Sequence, residues 1–198
     1  MKHPIALLTT RAARRYVSPG SRPPTREEAE TRALAYLLKD PLCDPDLINA
    51  AAREMARLIQ GERGYLIPVP DHHGRTAAND GLARAIRDAL PERSFTLANI
   101  LTRYGAIDSA CQRHKLRLPP LPPESHGIQH ANGRSPVRLT GSEKIYFVDN
   151  VITSGNTIEA CRLAMCGLGT GLVYADASHP PLKHHRSTPT KKAPCLCG

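Results

Sequence analysis

Lys144-Ile145-Tyr146-Phe147-Val148-Asp149-Asn150-Val151-Ile152-Thr153-Ser154-Gly155-Asn156-Thr157-Ile158 passes from four apolar, largely β-favouring residues to an acidic-polar pair. A short loop rich in hydroxyls and glycine follows, and then a helical pattern that begins at Asn156 or Thr157. The order is strand, loop, helix. A helix N-terminus presents unpaired backbone N–H groups and the positive end of a dipole, so this turn can hold a phosphate. Gly155 lets the backbone approach an anion without a Cβ in the way, and the hydroxyls of Thr153, Ser154 and Thr157 add donors. Asp149 and Asn150 stand at the carboxyl end of the strand, where open α/β sheets bind ligands. A phosphate cradle beside groups able to bond vicinal hydroxyls suits a ribose 5-phosphate.

On these residues the loop resembles the phosphoribosyl pyrophosphate (PRPP) loop of the type I phosphoribosyltransferases. That loop usually reads as an apolar strand, two acidic residues, two aliphatics, Thr-Thr or Thr-Ser, Gly, a small residue and Thr. Asp149 to Thr157 matches at eight of the nine positions; Asn150 departs, where the family usually has a second carboxylate. The resemblance implies that Asp149 and Asn150 bind the ribose, and that Thr153, Ser154, Gly155, Asn156 and Thr157 bind the 5-phosphate. It further implies Mg2+ bridging the substrate and attack by a nitrogen acceptor that displaces pyrophosphate.

The chain has 198 residues, enough for one domain with a real core, and its 18 prolines gather in a few places. A net charge of +9 calls for an anionic partner: a nucleic acid, a membrane surface or a polyphosphate substrate. Six cysteines follow no framework spacing, and no secretory signal or ~20-residue apolar span is present, which predicts a cytoplasmic protein with reduced thiols and no membrane contact.

Residues 1–24 are basic and end in Ser18-Pro19-Gly20-Ser21-Arg22-Pro23-Pro24, which reads as an irregular arm. The α/β domain is expected over residues 25–178, opening with a helical part over 25–61. Thr25 and Glu28 have capping-box spacing for a first helix, with Ala33, Leu34, Leu37 and Leu38 as its apolar stripe. Asp44 and Pro45 start a second, whose inward face is Leu47, Ile48, Ala51, Met55, Leu58 and Ile59, and Gly61 ends it. Tyr65 to Pro70 is a short buried strand, followed by the loop Asp71-His72-His73-Gly74-Arg75 and a helix capped by Thr76 that runs roughly to Leu90. In the family the loop after this strand contacts pyrophosphate, and Pro-Val-Pro with basic residues is similar to the competence-associated ComF branch. His72, His73 and Arg75 suit a pyrophosphate by charge and by fork geometry. Adjacent histidines without a spaced cysteine are poor zinc ligands, so no metal is assigned to protein ligands.

Phe95 to Leu101 is the next strand, ending at Arg103, a further candidate for pyrophosphate together with Arg113 and Lys115. The stretch from Tyr104 to Arg138 has no clear period and is too long for an ordinary connection. In the family a mobile loop closes over the site at about this point, which would exclude water from a reactive sugar cation. Gly167-Leu168-Gly169-Thr170-Gly171 follows a helix and lacks dinucleotide spacing, so it is a turn before the strand Leu172 to Asp176. Residues 179–198 are polar, basic and proline-punctuated, and disorder is expected there.

Strands alternating with helices make a parallel sheet flanked by helices the natural architecture, and the resemblance sharpens it to the type I phosphoribosyltransferase-like fold with a long irregular loop. Three functions follow as expectations. The first is a transferase acting on PRPP and an unidentified acceptor. The second is a catalytically weak PRPP-binding regulator, because Asn150 contributes no charge. The third is a nucleic-acid-associated protein, in DNA uptake or a defence module, working through the basic surface. A homodimer would be in keeping with the family.

Overall fold

A computed structural model describes residues 10–15, 22–131 and 143–177. The expected tail over 179–198, and the basic residues Arg134, Arg138, Lys183, Arg186, Lys191 and Lys192, lie outside those residues. The described chain runs β1 (Thr10–Arg15), α1 (Arg26–Leu37), α2 (Pro45–Ala56), β2 (Arg63–Pro68), α3 (Ala77–Asp88), β3 (Ser94–Leu97) and β4 (Leu101–Arg103). It continues through α4 (Ala110–Lys115), a 3-10 turn (Pro123–His126), β5 (Ile128–His130), β6 (Lys144–Ile152), α5 (Asn156–Ala164) and β7 (Thr170–Asp176).

The α/β expectation holds. A five-stranded sheet has the order β1-β7-β6-β2-β3 with every pairing parallel. Alternate residues of its strands feed two cores, as a sheet covered on both faces requires. Leu66, Tyr146, Val148, Leu172 and Tyr174 pack with Ala51, Met55, Leu82 and Ile86 of α2 and α3. On the opposite face Ile67, Phe147 and Val173 pack with Ile158, Cys161 and Met165 beside Ile100 and Leu101. From β2 the chain crosses through α3 to β3, and it then returns to β6 on the other side of β2. The order reverses between β2 and β6, and α3 and α5 lie on opposite faces, as right-handed crossovers in opposite directions demand.

Local signals set the helix starts. Thr25 and Glu28 form the capping box, Glu28 N–H to Thr25 Oγ1 at 3.2 Å and Thr25 N–H to Glu28 Oε2 at 2.8 Å. Asp44 caps α2 through the Asp46 N–H at 2.8 Å, with Pro45 in the first turn. The stripe of α1 is rotated from expectation: Thr31, Ala35 and Leu38 are buried, while Ala33 and Leu37 are exposed. Thr76 makes no side-chain cap; its hydroxyl accepts from Asn99 Nδ2 at 3.1 Å.

Four expectations are corrected. The segment read as an irregular arm contains an edge strand, β1, parallel to β7. Two of its three arginines are engaged: Arg14 forms a two-pronged pair with Glu54 at 2.6 Å, and Arg11 donates to Leu58 O at 2.8 Å and Gln60 Oε1 at 2.6 Å. The strand expected over Phe95 to Arg103 divides in two, and β4 leaves the main sheet to pair antiparallel with β5. The stretch after Tyr104, read as aperiodic, carries α4, the 3-10 turn and β5 up to His130. Finally, Asp149 and Asn150, expected at the carboxyl end of the strand, lie within β6; Asp149 is in register opposite Val173, and the strand runs on to Ile152.

Candidate functional site

Parallel pairing of Pro68 with Val148 brings the loops after β2 and β6 to the same edge of the sheet, at the reversal of strand order. Val69 N–H donates to Val148 O at 3.0 Å and locks the two strand ends together. This is the crevice in which open α/β sheets bind ligands. Gly155 sits at φ +80°, a conformation unfavourable to a side chain, and turns β6 into α5. α5 has no side-chain N-cap bond, and only a long 3.4 Å contact joins Asn156 N–H to Ser154 Oγ. Its first-turn N–H groups are therefore left without a side-chain cap, with Thr153 and Ser154 exposed beside them, an arrangement able to take an anion.

Asp149 lies at the base of this crevice, densely surrounded, with only part of its surface reaching solvent. Its Oδ1 accepts from Asn150 N–H at 2.8 Å and from Asn79 Nδ2 at 3.2 Å. Burial pushes the carboxyl up to about 6, against the pull of those two donors and of the Lys39 and Arg103 charges. Asn150 is itself buried, with 7 % exposure.

The loop after β2 is organised by Asp71, which accepts from the N–H groups of His73 at 2.8 Å and Arg75 at 2.9 Å and from Arg75 Nε at 3.1 Å. Burial alone would raise this carboxyl, but those donors hold it below its ordinary value. The rings of His72 and His73 lie 4.0 Å apart, and burial with the neighbouring ring lowers the His72 imidazole. Arg75 is exposed, its guanidinium against Asp71.

Arg103, expected on the pyrophosphate, is placed differently. It is 8 % exposed, and its guanidinium donates to Asp71 O at 2.7 Å, Pro70 O at 3.2 Å and His126 O. A buried, hydrogen-bonded fork of this kind is a clamp: it ties β4, the Asp71 loop and the 3-10 turn into one body. Sequence does not foretell this placement, because a basic residue at a strand end looks the same whether its head is free or consumed by carbonyls. Arg113 is also engaged, donating to Pro119 O at 2.9 Å.

Three side chains at this edge had no sequence signal. Asn79 holds Asp149. His126, buried at 8 % exposure and lowered by burial and by Arg103, sets its Nδ1 3.4 Å from Thr157 Oγ1, while Asn156 Nδ2 donates to Leu121 O at 2.6 Å. The segment Leu121–His126 thus leans on the start of α5. Lys39 extends from the turn between α1 and α2, its Nζ 5.2 Å from the Tyr36 ring centroid, and its charge is felt at both Asp149 and His72. That turn belongs to the carboxyl edge because α2 ends at the other one, where Arg93 Nη1 donates to Ile59 O at 2.9 Å and Gln60 N–H donates to the Tyr146 hydroxyl at 2.9 Å.

Two hollows lie on that opposite edge, one of about 250 Å³ lined by Arg11, Gln60, Lys144 and Tyr146, the other of about 490 Å³ beside Arg93 and Phe95. Neither contains the phosphate-like loop, and hollow volume is a weaker guide here than the strand reversal and the open helix start. Comparison of the chain with family models, with curated proteins and with solved structures yields no match.

Proposed function

We propose that this protein binds PRPP at the carboxyl edge between β2 and β6 and transfers its ribose 5-phosphate to a nitrogen acceptor with release of pyrophosphate. The observation that carries the reading is the juxtaposition of the uncapped Gly155–Asn156 helix start with Asp149 at the reversal of strand order. The 5-phosphate sits on the α5 N-terminus, the ribose hydroxyls meet Asp149, and the pyrophosphate extends toward His72, His73 and Arg75. Asp71 uses both carboxylate oxygens within its own loop and Asp149 uses one, so the donor set suits Mg2+ carried by the substrate's own oxygens and by water. Such an ion would supply positive charge to the leaving pyrophosphate beside His72, His73 and Arg75. Ionised Asp149 favours the developing positive charge on the sugar.

A second reading, PRPP binding without turnover, is favoured by one feature. The Asp149 carboxyl is pushed up to about 6, and its neighbour Asn150 is uncharged. Calorimetric titration with PRPP and magnesium, beside Asp149→Ala, tests the site shared by both readings. Binding that the variant loses, followed by pyrophosphate release with a nitrogen acceptor, supports the transferase; binding without release across bases and amines supports the regulator. An unaltered isotherm in the variant would sink both.

A further inference from the structure

Asn79, on the first turn of α3, is 8 % exposed, and its Nδ2 donates both to Val69 O at 2.8 Å and to Asp149 Oδ1 at 3.2 Å. Val69 follows β2 and Asp149 belongs to β6, so one amide spans the point where the strand order reverses. Its Oδ1 is buried with no partner among the described residues. A flipped amide would set that oxygen against the Val69 carbonyl and the carboxylate, so the two acceptors dictate the orientation and leave Oδ1 orphaned. An unpaired buried amide oxygen is costly, and an apolar side chain of similar size would avoid it. A broken packing rule at a ligand edge is where functional demand is expected to outweigh stability.

We propose that Asn79 is the positioning residue of this site: it anchors Oδ1 of Asp149 so that Oδ2 is left to the hydroxyls of a bound sugar phosphate. The other charged or titratable groups facing Asp149 are Lys39 from the α1–α2 turn, Arg103 from β4 and Cys161 from α5. None can replace the amide. Lys39 acts as a charge from the exposed turn, Arg103 is consumed by three carbonyls, and the Cys161 thiol is raised by burial and by Asp149 itself. The sugar-phosphate part of this role rests on the function proposed above, whereas the hold on Asp149 does not.

The experiment follows the Asp149 carboxyl by carbon NMR in the full chain, with Asp149→Asn identifying its signal. Asn79→Leu keeps the volume and removes the donor; Asn79→Ser, too short to reach, serves if the leucine variant does not fold. Loss of the donor raises the titration midpoint by about one unit, a tenfold gain in proton affinity. PRPP affinity in magnesium then falls about ninefold at pH 5, where about twofold is expected at pH 7, and recovers near pH 8.5, a pH-dependent loss that mere damage to packing would not give. A midpoint unmoved in the variants, or an affinity loss equal at all three pH values, overturns the proposal. A raised midpoint in a chain whose wild type ignores PRPP upholds the anchoring of Asp149 and removes only the phosphoribosyl reading.

Discussion

At the scale of single residues the site trades stability for charge. The Asp149 carboxyl stands near 6 in the fold against an ordinary 3.8, so between those values the folded chain binds more protons than the unfolded one. Its contribution to stability is therefore fully present below about pH 4 and is lost as pH rises through about 6, by ~3 kcal/mol at most. Asp71 has the opposite sign, because its lowered carboxyl destabilises the fold only when acid protonates it. Asp149→Asn retains an acceptor for Asn79 and Asn150. Urea denaturation from pH 4 to 8 is expected to show it more stable than wild type at pH 7 by on the order of 2 kcal/mol, with the gap closing toward pH 4. The same variant should lose PRPP binding. Equal stability at pH 7 would mean that Asp149 is better solvated than its surroundings imply. The place of Asp149 beside the glycine loop was legible because it precedes Gly155 near the end of an apolar run. Asn79 was not, since an asparagine in a first helical turn looks like an ordinary surface residue until the fold brings β6 against it.

Between elements, arginines do the joining that apolar contacts leave undone. Arg103 holds β4, the Asp71 loop and the 3-10 turn through carbonyl acceptors, and its guanidinium is lowered by burial. Lysine in its place keeps a charge but lacks the fork, leaving buried carbonyls unpaired; Arg103→Lys should cost about 2–4 kcal/mol in urea denaturation. A cost under half a kcal/mol would rule out the clamp. The capping box of α1 and the Asp44-Pro45 start of α2 were readable because capping is a short-range code. By contrast, β1 was hidden: Thr-Arg-Ala-Ala-Arg-Arg has little β-branching, and its strand depends on β7 and on partners some 40 residues away, Glu54 among them. Strands β4 and β5, of three residues each, were too short to show a period. The α1–α2 turn carries no motif in the sequence, yet it delivers Lys39 to the carboxyl edge, with no carboxylate partner among the described residues. Lys39→Ala should weaken binding of PRPP about three- to tenfold and flatten its salt dependence, measured calorimetrically at 50 and 200 mM salt. An unchanged affinity would place the ligand away from that turn.

Across the whole molecule, the parallel sheet has a carboxyl edge and an amino edge, and two substitutions can tell which of them carries the proposed function. At the carboxyl edge Gly155 holds φ +80°, so Gly155→Ala strains the turn that opens the α5 N-terminus. The backbone must either keep that strain, at about 1 kcal/mol, or relax and close the cradle. At the amino edge the Tyr146 hydroxyl accepts from Gln60 N–H at 2.9 Å and donates to Gln60 O at 3.0 Å, and its ring stands 6.1 Å from that of Phe95. Tyr146→Phe leaves those two backbone groups to find water in the adjoining hollow and should cost about 1–2 kcal/mol of stability. If the reversal of strand order locates the function, the two variants will be destabilised by similar amounts but diverge in binding. Gly155→Ala is then expected to lose at least tenfold in PRPP affinity, and Tyr146→Phe to match wild type. The opposite pattern, with binding lost on removing the Tyr146 hydroxyl and kept in Gly155→Ala, would move the site to the amino edge and its hollow of about 250 Å³. In that event the glycine loop would be only the turn by which β6 reaches α5.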